Sequence, residues 1–184
     1  MRARPHIMDH PSHFAAPAID TERLTLRGHR LDDFEDSAAM WADAEVTRHI
    51  TGKPFTREES WTRVLRYAGH WVLLGYGYWV VRERATGRFV GEVGFADYRR
   101  EIEPSLDGTP ETGWVLAPWA HGKGFADEAV EAALAWGAAH LRPGRSVCII
   151  APDNLASIKL AQRRGYRELR RTNYHGRQII VFER

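Results

Sequence analysis

From about residue 19 onward, apolar residues recur at two spacings. In "TERLTLR", Leu24 and Leu26 alternate with polar or charged neighbours, the period of a half-buried strand. Asp32 or Asp33 can cap a following helix that runs to about Asp43. "TREESWTRVLRYAGHWVLL" sets Thr56 three residues before Glu59, a capping box, and then spaces Trp61, Val64, Leu65, Ala68, Trp71 and Val72 as a helix does. "YGYWVVRE" and "RFVGEVGFADY" predict two strands joined by a turn at Ala85-Thr86-Gly87, and "ETGWVLA" a third, closed by Pro118. A helix is expected from Phe125 to about Leu141, with Ala126, Ala129, Val130, Ala133 and Leu134 on one face. "SVCII" reads as a short buried strand, and Asn154 to Arg164 as a helix stopped by Gly165. "YRELRRT" and "QIIVFE" form a last hairpin around "NYHG". The order of elements predicts an α/β fold on a mixed sheet: hairpins supply antiparallel pairs and a helical crossover permits a parallel one.

Residues 1–18 carry no such period. With three prolines and three histidines they read as a flexible tail, leaving 19–184 as a single domain. His6, His10 and His13 would need a helix to share a metal, and Pro5 and Pro11 oppose one. The chain is 184 residues long, 43% hydrophobic, with seven tryptophans, enough for a packed core. No apolar run reaches membrane-spanning length and no signal-peptide pattern opens the chain, so a cytoplasmic protein without membrane contact is expected. A single cysteine, Cys148, excludes an internal disulfide and a cysteine-based metal site. The net charge of +2 says little about partners. Arg163, Arg164, Arg167, Arg170, Arg171 and Arg177 cluster near the end; a solvated face is the expectation, with an anion- or RNA-facing surface as the alternative.

The candidate chemistry begins at "HGKGFA", His121 to Ala126, between a predicted strand and a predicted helix. A helix N-terminus offers unpaired N–H groups and a positive dipole end, and glycines let an anion approach the backbone. A triphosphate loop would need a glycine at Ala117 and a Ser or Thr at Gly124. A dinucleotide fingerprint would need a glycine where Asp127 stands. Both fail.

The segment resembles the acyl-CoA pyrophosphate loop Gln/Arg-x-x-Gly-x-Gly/Ala of the GNAT acetyltransferase superfamily in Gly124 and Ala126, and departs from it at His121. "TERLTLR", "GWVLAPWAHGKGFADEA" and "NLASIKLAQRRGYRE" occur in the order of its ribosomal-protein N-acetyltransferase-like (RimJ/RimL-type) branch. The resemblance implies a mixed, mostly antiparallel central sheet flanked by helices. It also implies acetyl-CoA as cosubstrate, no metal, and transfer of acetyl to a primary amine by direct attack on the thioester. The pantetheine arm would pair with backbone near Val115, Leu116 and Ala117. The pyrophosphate would meet the amides of Gly122, Lys123, Gly124, Phe125 and Ala126, with His121 as the side chain at the loop's first position and Asn154 as a further contact or as the cap of its helix. Ser157 resembles the proton donor to the departing thiolate; Ala161 stands where many members carry a tyrosine. Glu111 resembles the acidic residue at the start of the donor strand and ranks first as general base. Glu92 is second, with a solvent-facing place on a half-exposed strand as its alternative reading. Trp114, Trp41, Trp61 and Trp71 are expected to be core.

The acceptor implied is a protein N-terminus, in an open groove between the helix pair of 31–74 and the last hairpin, or a small amine. An antibiotic or polyamine would want an acidic pocket, for which "DDFEDS", with acids from Asp32 to Asp36, is the candidate. A non-catalytic CoA- or RNA-binding module is the non-enzymatic alternative, although nucleic acid is not the expected partner. A homodimer is compatible with the pattern.

Overall fold

In the computed structural model the described residues are 15–141 and 145–184. His6, His10, His13 and most of the expected tail lie outside them. Eight strands form one sheet in the order β1-β2-β3-β4-β5-β6-β8-β7: β1 (Ile19–Asp20), β2 (Leu24–Arg27), β3 (Tyr78–Glu83), β4 (Phe89–Ala96), β5 (Glu111–Leu116), β6 (Val147–Ile150), β7 (Arg167–Tyr174) and β8 (Arg177–Glu183). Five helices accompany them: α1 (Phe34–Trp41), α2 (Ala44–Thr47), α3 (Arg57–Leu74), α4 (Phe125–His140) and α5 (Leu155–Arg163). Every neighbouring pair is antiparallel except β5–β6. The mixed, mostly antiparallel sheet flanked by helices is as expected. Strand β1 and the short helix α2 were not predicted; each is too brief for a period to register.

Local signals set most boundaries. Thr56 accepts from Glu59 N while Glu59 accepts from Thr56 N, and Gly75 ends α3 in the left-handed region. Gly165, with φ +87°, follows α5 as predicted. The last hairpin turns on two residues, His175 and Gly176, so β7 reaches Tyr174, further than its pattern suggests.

Asp33 departs from expectation. It makes no side-chain cap for α1, which follows a 3-10 turn at Leu31–Asp33. Its carboxylate is fully buried and accepts from both Arg27 and Arg82 and from the Arg30 amide. Burial alone would raise its pKa; those bonds outweigh it and hold the group at about 2.

One sheet face packs α4 and α5 over Trp79, Val93, Phe95 and Leu116. Met40, Trp41 and Val46, from α1 and α2, pack with Val80, Phe89 and Ala117. All eight residues of β4 are buried. Among the described residues no helix is long and apolar enough to cross a membrane.

Candidate active site

Strands β5 and β6 part almost as soon as they meet. Their one register pair is Glu111 with Val147, supported by the bond from Val147 N to Pro110 O. Beside the fork the Tyr166 hydroxyl bonds Thr112 Oγ1 and Ser146 Oγ, each at 2.7 Å, pinning the two strands where they separate. Beyond it opens a cavity of about 1000 Å³, lined by β5, β6, the glycine loop, the start of α5, α3 and the β7–β8 hairpin.

The ladder with β4 decides which backbone groups of β5 face that gap. Ala117 N donates to Val90 O at 2.9 Å, and the same register pairs Val115 with Glu92. Residues in such pairs turn both N–H and C=O toward the neighbouring strand, and alternate residues turn them away. Trp114 and Leu116, not Val115 and Ala117, therefore offer backbone to the gap. Ala117 is buried beside α1. The Leu116 carbonyl already accepts from His121 Nε2 at 3.0 Å, which fixes that ring nitrogen as the donor. The imidazole of the off-pattern position thus clamps the strand end.

Gly122 and Gly124 have φ of +72° and +79°, a backbone that side chains disfavour, and a Cβ at Gly122 would meet nothing within 4 Å. Gly124 caps α4, and the first intrahelical bond runs from Glu128 N to Gly124 O. The amides of Gly124, Phe125, Ala126 and Asp127 have no such bond, which is the donor set an anion needs. Gly122, Gly124 and Ala126 line the cavity. The Phe125 side chain is buried, and the Lys123 ammonium sits 4.7 Å from the Trp119 ring centroid. Asp127 pairs with Arg163, the last residue of α5, and with Arg164, which caps it, so its charge is balanced by two guanidinium groups.

A brace behind this loop was not foreseen. Arg23 Nη1 donates to Lys123 O at 2.9 Å, while Arg23 Nε and N bind the Glu128 carboxylate at 2.7 and 2.8 Å and the Thr21 hydroxyl joins them. About a hundred residues of sequence separate Arg23 from the loop, so no spacing rule could reveal the pairing.

Asn154 caps α5, its side chain accepting from Ser157 N at 3.2 Å. Ser157 accepts from Trp114 Nε1 at 3.3 Å, and both residues line the cavity. Because the indole can only donate, it takes an acceptor site of the hydroxyl and leaves the Ser157 proton for another partner.

Glu111 lines the same cavity, with Arg100 Nε and Nη2 on its two oxygens at 2.6 and 2.8 Å. Two residues on, a Cβ at Gly113 would lie 1.8 Å from the Tyr78 hydroxyl, so only glycine lets that ring reach the strand. Glu92 is neither half-exposed nor among the cavity-lining residues. It is fully buried and accepts from Ser37 at 2.6 Å and Trp41 at 2.9 Å, with His29 Nε2 at 3.3 Å. Burial would raise its pKa, but the bonds from His29, Ser37 and Trp41 leave it lowered. It is a structural anion tying β4 to α1.

The wall beyond Glu111 is aromatic and basic: Tyr67, Tyr78 and Tyr98 with Arg63, Arg66 and Arg100. "DDFEDS" supplies no acid to the cavity. Asp33 and Asp36 bind Arg82, and Glu35 binds Arg57. The late arginine cluster is dispersed: Arg171 pairs with Glu168, and Arg170 reaches Pro104 O. Arg177 meets the carbonyls of Ile50 and Arg48 at 3.2 and 3.5 Å. That last contact ties the segment after α2 to the last hairpin, and His49 Nδ1 lies 3.1 Å from Asp153 before α5; Arg48, His49, Ile50, Asp153 and Arg177 all line the cavity.

Comparison with known proteins agrees with this geometry. Residues 23–167 match the family model described as an acetyltransferase (GNAT) domain. The chain is 32% identical over 141 residues to the uncharacterized N-acetyltransferase p20 of Bacillus licheniformis, covering 76% of each. A provisionally assigned GnaT-family acetyltransferase from Bordetella pertussis superposes with a TM-score of 0.81 at 29% identity, over 91% of this chain and 99% of that one. RimL, a ribosomal alpha-N-protein acetyltransferase solved with coenzyme A, shares the fold at 18% identity, with a TM-score of 0.70 over 91% and 97% of the two chains. The parted strands, the glycine loop at the head of α4 and these likenesses together make the chain a member of the GNAT acetyltransferase family.

Proposed function

We propose that this chain moves the acetyl group of acetyl-CoA to a small primary amine by direct attack of the amine on the thioester. The observation that carries the reading is the convergence of the glycine loop, Ser157 and Glu111 on the one cavity where β5 and β6 part. The amides from Gly122 to Ala126 would hold the pyrophosphate, steered by Lys123. The backbone of Trp114 and Leu116 would take the pantetheine arm as an added strand, against the Val115 side chain and Asn154. A backbone N–H at this strand end would stabilise the oxyanion.

Glu111 would receive the ammonium proton, directly or through water, leaving nitrogen free to attack the carbonyl carbon. As the tetrahedral intermediate collapses, the nitrogen gives up its second proton to solvent and the carbon–sulfur bond breaks. The Ser157 hydroxyl would protonate the thiolate and regain its proton from solvent, to which Glu111 also returns the proton it took. The Trp114 indole leaves that hydroxyl free to donate.

A small acceptor is favoured over a protein N-terminus because Arg177 on the last hairpin reaches the Ile50 carbonyl across the space between that hairpin and the helices, where a protein segment would have to lie. The test is thiol release from acetyl-CoA across a panel of amines and N-terminal peptides. Thiol release matched by an equal amount of N-acetyl product is expected with small amines. Failure to bind acetyl-CoA would overturn the reading.

A further inference from the structure

Resting on that reading, we propose that the acceptor amine also carries a carboxylate, recognised by Arg63 and Arg66 in the wall beyond Glu111.

Five arginines line the cavity (Arg48, Arg63, Arg66, Arg100 and Arg177) against three acids (Glu45, Glu111 and Asp153). Glu45 pairs with Arg48 and Glu111 with Arg100, while Asp153, with an oxygen 3.1 Å from His49 Nδ1, lies before α5 and not in this wall. Arg63 and Arg66 make no ion pair among the described residues. Their situations are complementary. The Arg63 guanidinium lies 3.8 Å from the Trp41 ring centroid and 4.7 Å from that of Phe55, and its Nη1 donates to Tyr67. Its Nε is buried with no hydrogen-bond partner. Glu92, the neighbouring buried acid, has its oxygens taken by Ser37, Trp41 and His29. Arg66 rests on Tyr98, 4.9 Å from its centroid, on the ring whose centroid lies 4.6 Å from Arg100.

Two guanidinium groups laid on aromatic rings, with no acid paired to either among the described residues, present fixed planar cations to the cavity. The ligand that suits such planar donors is a planar anion, a carboxylate. The same wall works against a polyamine, whose additional ammonium groups would face cations with no free acid to receive them. Arg100 keeps Glu111 beside this wall, so a dipolar acceptor meets an acid at its amine end and cations at its carboxylate end. Tyr67, Tyr78 and Tyr98 line the cavity beside these groups and offer an aromatic surface to the body of the acceptor.

The test compares matched acceptors with acetyl-CoA: tyrosine with tyramine, leucine with isoamylamine, and β-alanine with both ethylamine and phosphoethanolamine. The carboxylated member of a pair is expected to have a kcat/KM about 10- to 100-fold higher. In Arg66→Gln that ratio should fall toward one; Arg63→Lys should do the same, and Arg66→Gln, at the more exposed position, carries the test if Arg63→Lys fails to fold. Equal rates within pairs, or preference for the plain amine, would overturn the carboxylate while leaving the acetyltransferase intact. Preference for phosphoethanolamine over β-alanine would overturn it too, in favour of a phosphate. If acetyl-CoA does not bind at all, the acetyltransferase reading fails and takes this one with it.

Discussion

A single guanidinium, that of Arg100, holds both carboxylate oxygens of Glu111, at 2.6 and 2.8 Å. The pair sits at the fork of the sheet, where Glu111 is also the one residue of β5 in register with β6. An acid fixed in this way keeps its orientation toward the cavity, and its free lone pairs remain directed at whatever occupies the gap.

If Glu111 takes the ammonium proton, Glu111→Gln should lower kcat/KM by about 100-fold near neutral pH. The deficit should shrink as pH rises toward the amine's own pKa, because the acceptor then arrives neutral. Parallel wild-type and variant profiles of rate against pH would remove Glu111 from the role.

Ser157→Ala should reduce kcat by about 10- to 100-fold with little change in acetyl-CoA affinity. The loss should be smaller for thioesters whose thiol is more acidic, since such a leaving group needs no proton. A deficit indifferent to leaving-group acidity would make Ser157 a positioning residue.

Gly124→Val places a side chain at φ +79°, costing about 1–2 kcal/mol in the backbone, with its Cβ 3.3 Å from Arg23 Nη2, so that it displaces the brace and deforms the anion cradle. Acetyl-CoA binding by calorimetry should be lost while the far-ultraviolet circular dichroism stays that of the parent. Arg23→Ala, which removes the brace on the Lys123 carbonyl, should raise KM for acetyl-CoA and leave kcat near its parent value.

Asp33 makes acid sensitivity predictable. Its folded-state pKa is depressed to about 2 from 3.8, so its contribution is complete above about pH 4 and is lost as pH falls through about 2. That shift corresponds to about 2 kcal/mol. Chemical denaturation of Asp33→Asn should show a stability deficit that is constant above pH 4 and narrows by roughly this amount between pH 4 and pH 2. A deficit independent of pH would exclude the titration.

What the sequence discloses and what it hides divide along physical lines. The capping box at Thr56, the stop at Gly165 and the two glycines before α4 are legible because each is a short-range requirement of the backbone. Glu92 is not. Strand β4 is covered on both faces, so the alternation that would assign a side has vanished, and an acid there looks exposed although α1 reaches over to bind it. Asp33 misleads in the same way: a capping residue by type, it is claimed instead by arginines on two strands. The backbone facing the gap depends on the β4–β5 register, and a change of one residue exchanges Val115 for Trp114. The unpaired guanidinium of Arg63 becomes visible only when all its neighbours can be counted.

The sheet is in effect two half-sheets sharing one seam, tied at Glu111–Val147 and stitched by Tyr166. A ligand that lies along the open length of β5 would do the work of a missing strand, and the seam would then gain cohesion from a molecule instead of from chain. In its absence, the amides of Trp114 and Leu116 should exchange with deuterium faster than those of Val115 and Ala117, residues of the same strand turned toward β4. Occupancy should reverse that inequality locally and lift the melting temperature of the whole molecule, so that this protein's mechanical integrity becomes a readout of its cosubstrate supply.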